Sequence, residues 1–346
     1  MSLQSMMDSA ESAPVASRRR RWRGCLTLVL LLAVVVGVGV FLNQHRNLLP
    51  IPLPEGCQVD TSDGIVELSV QQMDNAGTIA AVAVSRGLPQ QAVKISLATA
   101  MQESKLQNLT GGDRDSLGLF QQRPSQGWGT PEQIGDPVFA TGSFLDRLVR
   151  IPGYAQLPLT VAAQDVQHSA YPDAYEDHEA DATTVAEALT GQAPAALSCT
   201  VNGVGHAAAG PVGSDALQPG AEAVAQRLTK EYGGTVKPQA VPTAAPAASG
   251  ATPSGSDAPS AAPSDASSGL VLEAAPGSGA GLGSTQLGWS IAQWAVAHCQ
   301  DLHISSVEFG GKAWRSSQSA QGWQAVGAAS DASAAGGPVR ITVAAQ

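Results

Sequence analysis

Two stretches carry most of the information in this chain: E-S-K-L at residues 103–106 and G-L-F-Q-Q-R-P at residues 118–124. Pro89 favours the start of a helix that leads into the first stretch, and its apolar stripe comprises Val93, Leu97, Ala100 and Met101. Glu103 falls at the border of this stripe, close to the end of the helix. A carboxyl group half-buried among apolar side chains has a raised pKa and donates protons near neutral pH. The pattern therefore places Glu103 where such half-burial is possible, although a lone glutamate on a helix is most often a solvated surface charge.

Together, the two stretches resemble the catalytic core of the lytic transglycosylases, within the wider lysozyme-like superfamily. That core shows Glu-Ser, an apolar residue two positions later, then Gly-Leu-Met-Gln and a proline three residues beyond the glutamine. Leu106 takes the apolar position here, and Phe120 replaces the methionine. The spacing from Glu103 to Gly118 is also that of the family. Outside these motifs the resemblance extends to the general helical plan of residues 57–200.

The resemblance implies an enzyme that cleaves the glycan strands of peptidoglycan with a single carboxyl group. Glu103 would act first as acid and then as base, and the substrate's own N-acetyl group would replace a second carboxylate and give a 1,6-anhydro sugar. The residues that the resemblance assigns to substrate binding are Ser104, Gly118, Leu119, Phe120 and Gln121. No cofactor is expected, and no cysteine or histidine pattern at ligand spacing predicts a metal site.

The later part of the domain departs from the family pattern. Members carry Tyr-Asn-Ala-Gly, whose tyrosine supports the catalytic glutamate, whereas this chain has Ser169-Ala170-Tyr171-Pro172. Tyr171 is therefore the expected supporting residue. The stretch from Val166 to Tyr175 resembles, more loosely, a branch common in exported actinobacterial proteins. The alternative function is a catalytically weak or inactive protein on the same fold that binds the cell wall or acts as an envelope scaffold.

Two acidic residues after Glu103 leave alternatives open. Asp113 and Asp115 follow Gly111-Gly112, and aspartate after a glycine pair is ordinary turn chemistry, which is the favoured interpretation. They could instead position a water for hydrolysis, as a second carboxylate does in inverting enzymes. A calcium loop is a weaker alternative, because the later glutamate of an EF-hand is missing.

Composition divides the chain into segments. The predicted fold class is mainly α, with a lysozyme-like helical domain after one transmembrane helix, a disordered linker and a small α+β unit at the C-terminus. The linker is rich in Ala, Gly, Pro, Ser and Thr, and cannot bury enough apolar area to fold alone. The predicted segments are a basic cytoplasmic tail (1–24), a transmembrane helix (25–42), a stalk (43–56), the lysozyme-like domain (57–200), a connector with a short helix (201–234), the linker (235–285) and the α+β unit (286–346).

The N-terminal region predicts a membrane anchor. The apolar run at 25–42 is long enough to cross a bilayer, and the arginines at 18–23 precede it, so the positive-inside rule places most of the chain outside the cell membrane as a single-pass protein. The formal net charge of −10 includes these arginines, so the rest of the chain is strongly acidic. A nucleic-acid partner is therefore excluded, because phosphate binding needs a basic face.

Outside the membrane the cysteines are expected to oxidise. Cys57 and Cys199 bracket the helical domain and are predicted to form a disulfide, which the loop-entropy relation values at about 4–5 kcal/mol. Cys299 is expected to be a small buried apolar residue. In the C-terminal unit, four tryptophans favour a core over an exposed sugar platform, and residues 286–346 are a candidate docking site for an envelope protein.

Overall fold

The structure is a computed structural model of the 346-residue chain. It describes residues 31, 33, 34, 36, 37, 53–207, 217, 219–240, 270–276, 282–326 and 337–344. The described residues from Leu53 onward belong to one compact unit. For 270–276 the description is limited to the backbone.

Among the described residues, the compact unit begins with two strands, continues through six α-helices to a third strand, and ends with two further helices and six further strands. The helices are α1 (Val70–Ser85), α2 (Gln90–Ser104), α3 (Pro131–Ile134), α4 (Pro137–Leu148), α5 (Leu159–Gln167), α6 (Glu179–Leu189), α7 (Pro219–Tyr232) and α8 (Ser284–Ala297). The strands are β1 (Gly56–Thr61), β2 (Gly64–Leu68), β3 (Leu197–Thr200), β4 (Val236–Ala240), β5 (Leu270–Pro276), β6 (Ile304–Phe309), β7 (Lys312–Arg315), β8 (Gln324–Ala325) and β9 (Val339–Val343). Short 3₁₀ turns include Pro172–His178 and Ser316–Gln321.

The strands form two antiparallel sheets. One has the order β2-β1-β3, and the other has the order β4-β5-β9-β6-β7-β8. In the first sheet Cys57 lies opposite Cys199, and the two form a disulfide that closes the segment between them, which is the predicted pairing. The sheet therefore joins the beginning of the helical segment to its end.

Helices α1 and α2 position Glu103, the candidate acid. Ser69 caps α1 through a capping box with Gln72, and the centre of α1 is almost entirely buried. Helix α2 begins after Pro89 and ends at Ser104, because Lys105 adopts the left-handed conformation with φ of 55°. Glu103 therefore lies in the last turn of α2, where the chain leaves the helix axis.

The mainly helical fold class is wrong. The described residues combine helices with two antiparallel sheets, and the larger sheet has six strands. Strands β6 to β9 lie in the segment predicted as α+β, whereas β1, β3, β4 and β5 were not predicted. These four are short, and β1 pairs with the distant β3 and β5 with the distant β9. A short strand has few residues in which alternation can show, and the local sequence does not reveal the distant partner that covers one of its faces.

The predictions of a transmembrane helix and of a single-pass membrane localisation are also contradicted. Among the described residues, no helix is long and apolar enough to cross a membrane. A membrane span requires about 20 consecutive apolar residues in one helix. Of the range 25–42, five residues between 31 and 37 are described; the rest of it, the tail at 1–24 and residues 43–52 of the stalk lie outside the described residues.

The boundaries predicted for the second half of the chain differ from the structure. Strands β4 and β5 lie at the two ends of the predicted linker, and residues 241–269 between them lie outside the described residues. The predicted C-terminal unit is not separate either. Helix α8 packs against α1 and α6, and the indole of Trp314 donates a hydrogen bond to the Cys199 carbonyl at 3.2 Å. Three of its tryptophans are almost fully buried, as the core interpretation predicted: Trp289, Trp294 and Trp314.

A buried ionic cluster joins α1, α7 and α8. At its centre, Glu231 is almost fully buried and accepts hydrogen bonds from Thr78 Oγ1 at 2.9 Å, from Trp294 Nε1 at 2.6 Å and from Arg227 Nε. The imidazole Nε2 of His298 lies 3.6 Å from Glu231 Oε1. Burial alone raises the pKa of Glu231, but His298, Arg227 and Trp294 outweigh it and lower the pKa to about 2. The cluster therefore fixes α8 against α1, the helix that packs on α2.

Candidate active site

The carboxyl group of Glu103 lies in a half-buried position and contacts a tyrosine hydroxyl. Tyr175 Oη donates a hydrogen bond to Glu103 Oε1 at 2.6 Å, and the Tyr175 side chain is fully buried. Burial raises the pKa of Glu103, while hydrogen bonds from Tyr175 and Gln167 oppose this rise without cancelling it. Burial and the neighbouring carboxylate also raise the pKa of the Tyr175 hydroxyl, which therefore stays protonated as a donor. The arrangement suits a group that both donates and accepts a proton.

The prediction that Tyr171 supports Glu103 is wrong. The side chain of Tyr171 is 75% exposed, and its backbone N–H donates to Ser169 Oγ at 3.2 Å. Tyr175, four residues later, reaches Glu103 because the 3₁₀ turn Pro172–His178 carries it inward. The stretch from Val166 to Tyr175 contained this residue, but its sequence gives no signal for which of the two tyrosines faces the acid.

Ser104 and Leu119 hold the two motif stretches together. Ser104 Oγ donates to the Leu119 carbonyl at 2.7 Å and to the Ala100 carbonyl at 3.0 Å. The side chains of Ser104 and Leu119 are both buried, and so is that of Phe120, which stacks on Phe144 with a centroid distance of 4.7 Å. The expectation that these three side chains bind substrate is therefore corrected: they form the core that supports the loop, because their apolar surface and hydroxyl are already satisfied inside the protein.

Gly118 and Gln121 form a turn at the start of the second stretch. Gly118 has φ of 74° and its N–H donates to the Leu109 carbonyl at 2.8 Å. A Cβ atom at this position would lie 2.6 Å from the Ile134 carbonyl oxygen, so the close approach requires glycine. Gln121 is half-buried, and its side-chain amide folds back to the Gly118 carbonyl at 3.3 Å. Gly118 is buried, so of the five predicted binding residues Gln121 is the one that stays partly exposed.

Asp113 and Asp115, the two acidic residues after Glu103, lie in a turn. Asp115 Oδ1 accepts from Arg123 Nε at 2.8 Å, and Asp115 Oδ2 accepts from the Ser125 N–H at 2.8 Å. These bonds, led by the one from Arg123, hold the pKa of Asp115 well below its usual range. The Asp113 side chain is 91% exposed and faces Arg114 at 3.9 Å. The structure therefore favours the turn interpretation over a second catalytic carboxylate.

Gln167, which the sequence did not single out, also contacts the site. Its Nε2 donates to the Phe120 carbonyl at 2.9 Å, and its amide opposes the rise that burial causes in the pKa of Glu103. A glutamine at the end of a helix is common on protein surfaces, so no sequence signal marks it as functional.

Within the described ranges, no group of three or more His, Cys, Asp or Glu side chains is arranged to hold a metal ion. A scan against protein-family models matches no family, and a search of curated proteins also finds no match.

Proposed function

We propose that this protein cleaves the glycan strands of peptidoglycan as a lytic transglycosylase, with Glu103 as the acid and base. The observation that carries the proposal is the half-buried Glu103 carboxyl group, whose Oε1 accepts the Tyr175 hydroxyl at 2.6 Å. The resemblance of the Glu-Ser and Gly-Leu-Phe-Gln stretches to lytic transglycosylases supports the choice of substrate.

The proposed reaction has two steps and needs one carboxyl group. In the first, Glu103 gives its proton to the glycosidic oxygen as the bond from that oxygen to the anomeric carbon breaks, and the acetamido oxygen of the sugar bonds to that carbon. In the second, the Glu103 carboxylate takes the proton of the sugar's C6 hydroxyl. The C6 oxygen then displaces the acetamido oxygen, which leaves a 1,6-anhydro ring and a protonated Glu103.

The surroundings of Glu103 support ring closure over hydrolysis. An inverting hydrolase needs a second carboxylate to activate water. Asp115 is already held by Arg123 and Ser125, and Asp113 is exposed to solvent beside Arg114. Neither carboxylate contacts Glu103, so the acetamido group of the substrate is the better candidate for the nucleophile.

The test uses the full chain, the Glu103→Gln variant and a matched Glu176→Gln control on peptidoglycan sacculi, with mass spectrometry of the soluble products. Glu176 is exposed and directly follows Tyr175, so its variant makes the same carboxyl-to-amide change beside the site. We expect anhydro-muropeptides from the wild type and the control, and at least about 100-fold less from Glu103→Gln.

Other products would contradict the proposal. Reducing-end muropeptides from the wild type would indicate a hydrolase. If none of the three proteins releases products while all sediment with sacculi, the protein binds the cell wall without cleaving it.

A further inference from the structure

Two arginines lie at the end of α4, beside the loop that contains the second motif. Arg147 is in the last turn of the helix, and Arg150 follows it and is exposed. The guanidinium carbon of Arg147 lies 3.3 Å from the centroid of the Trp128 ring, and its Nη2 donates to the Gln126 carbonyl at 3.4 Å. A guanidinium has five N–H bonds, and this hydrogen bond uses one of them.

The tryptophan under Arg147 is fixed by α4 itself. Trp128 is 5% exposed, and its carbonyl accepts from Ser143 Oγ at 3.2 Å. One turn earlier on the same face of the helix, the Ala140 carbonyl accepts from Gln122 Nε2 at 3.0 Å. The loop from the second motif to Trp128 therefore runs along one face of α4, and this face ends at Arg147.

The positive charges of this pair are not neutralised nearby. Neither Arg147 nor Arg150 takes part in an ion pair within the part of the chain that the structure describes, and Asp146 pairs with Arg86 instead. Burial and then the charge of Arg150 lower the pKa of Arg147, so the two cations act on each other. The carbonyl end of a helix supplies only about half a negative charge. An unpaired cationic pair stands out in a chain with a net charge of −10.

We propose that Arg147 and Arg150 form an oxyanion-binding site, which takes the carboxylate or phosphate groups of the cell-wall polymer. A guanidinium presents its N–H bonds as a fork that matches two oxygens of such a group, and the Trp128 ring holds one fork in place. The choice of the cell wall as the carrier rests on the proposed function, whereas the anion site itself does not. The site would supply the attraction to an anionic polymer that an otherwise acidic protein lacks.

The first measurement tests the anion site without any polymer. Inorganic phosphate and then acetate are added to the full chain, and NMR follows the Nε–Hε signals of the arginines. The signals of Arg147 and Arg150 are assigned by their loss in Arg147→Gln and Arg150→Gln. We expect both signals to shift and to saturate. The signal of Arg315, which is already paired with Glu308 at 3.1 Å, should shift less. Shifts at the pair no larger than those of Arg315 would overturn the inference.

The second measurement tests the carrier by sedimentation with peptidoglycan sacculi. All proteins carry Glu103→Gln, so that the polymer stays intact. The test variant adds Arg147→Gln and Arg150→Gln. The control adds Lys237→Gln and Lys312→Gln, which removes the same charge from two exposed positions on β4 and β7. We expect the test variant to bind at least about 10-fold more weakly at low salt, because charge-assisted hydrogen bonds are lost, and the control to bind like its parent. Should the double variant fail to fold, the exposed Arg150→Gln alone tests the site.

Pretreated sacculi identify the source of the oxyanion. Hydrofluoric acid removes phosphate polymers, and an amidase removes the peptide stems with their carboxylates. The treatment that abolishes the difference between parent and test variant names the group that the arginines bind. An equal loss of binding in the lysine control, or a difference that survives both treatments, would overturn the inference. If phosphate shifts the arginine signals but the parent does not sediment with sacculi, the anion site stands, and the cell wall as its carrier is refuted together with the proposed function.

Discussion

The buried ionic cluster gives the strongest prediction about stability, through the variant Glu231→Gln. The substitution keeps the size of the side chain and removes its charge. In the native protein Glu231 Oε1 accepts from Thr78 Oγ1 at 2.9 Å and from Arg227 Nε, and Oε2 accepts from Trp294 Nε1 at 2.6 Å. Glutamine has one acceptor oxygen for these three donors, and its NH₂ group must face at least one of them.

We expect Glu231→Gln to lower the free energy of unfolding, because the cluster is buried. The Glu231 and His298 side chains are both 0% exposed, and that of Arg227 is 26% exposed, so water screens these charges little. Removing one partner from a buried ion pair costs about 3–5 kcal/mol, because it leaves the other charge uncompensated. For a chain of this size that corresponds to a fall in Tm of roughly 10 °C.

Thermal and urea unfolding of the full chain would measure this loss. The matched control is Glu308→Gln, since Glu308 pairs with Arg315 at 3.1 Å with both side chains more than one-third exposed. A pair with that exposure contributes less than about 1 kcal/mol. If Glu231→Gln and Glu308→Gln lower the free energy of unfolding by the same amount, the reasoning about the buried cluster is wrong.

The same cluster predicts how stability depends on pH. The pKa of Glu231 is lowered to about 2 in the folded protein, so its contribution is present above the ordinary glutamate pKa and is lost as pH falls through about 2. Burial lowers the pKa of His298, but Asp74 and Glu231 more than offset this and raise it above its ordinary value. The contribution of His298 is therefore present below the ordinary histidine pKa and is lost as pH rises through its raised folded pKa. Glu231→Gln should flatten the acid side of the stability curve.

Three further variants test the site and its scaffold. Tyr175→Phe removes the donor to the acid and should reduce sacculus cleavage by roughly 10- to 100-fold, whereas Tyr171→Phe should cleave like the wild type; equal rates for the two would contradict the assignment of the supporting tyrosine. Gly118→Ala forces a Cβ against the last carbonyl of α3 at a positive φ and should lower the free energy of unfolding by about 1–3 kcal/mol in urea melts, so a wild-type midpoint would be unexpected. Replacing Cys57 and Cys199 together by serine should lower the free energy of unfolding by about 4–5 kcal/mol relative to the oxidised wild type in urea melts. Reduction of the wild-type disulfide should cause the same loss.

Local patterns predicted the helical segment around the acid well. Helix α2 starts after Pro89 and Glu103 lies in its last turn, because the proline and the apolar stripe are properties of neighbouring residues. The disulfide between Cys57 and Cys199 was also within reach of the sequence, since few cysteines were available to pair. The α+β character of the C-terminal unit was predicted, but β1, β3, β4 and β5 were not, because β1 pairs with the distant β3 and β5 pairs with the distant β9.

The supporting residues of the acid depended on tertiary structure. Tyr171 and Tyr175 are four residues apart with similar surroundings in the sequence, yet one is 75% exposed and the other is fully buried. The buried cluster shows the same dependence, because Glu231 and His298 come from helices that are far apart in the chain.

The sequence by itself therefore determined the candidate acid, the helix that carries it and the glycine that the following loop requires, since these depend on residues close in the chain. Only the tertiary structure decided which tyrosine contacts that acid, and that the motif residues Leu119 and Phe120 form part of the core. The physical reason is that burial and hydrogen-bond partners depend on which distant segments pack together, and local periodicity carries no information about that packing.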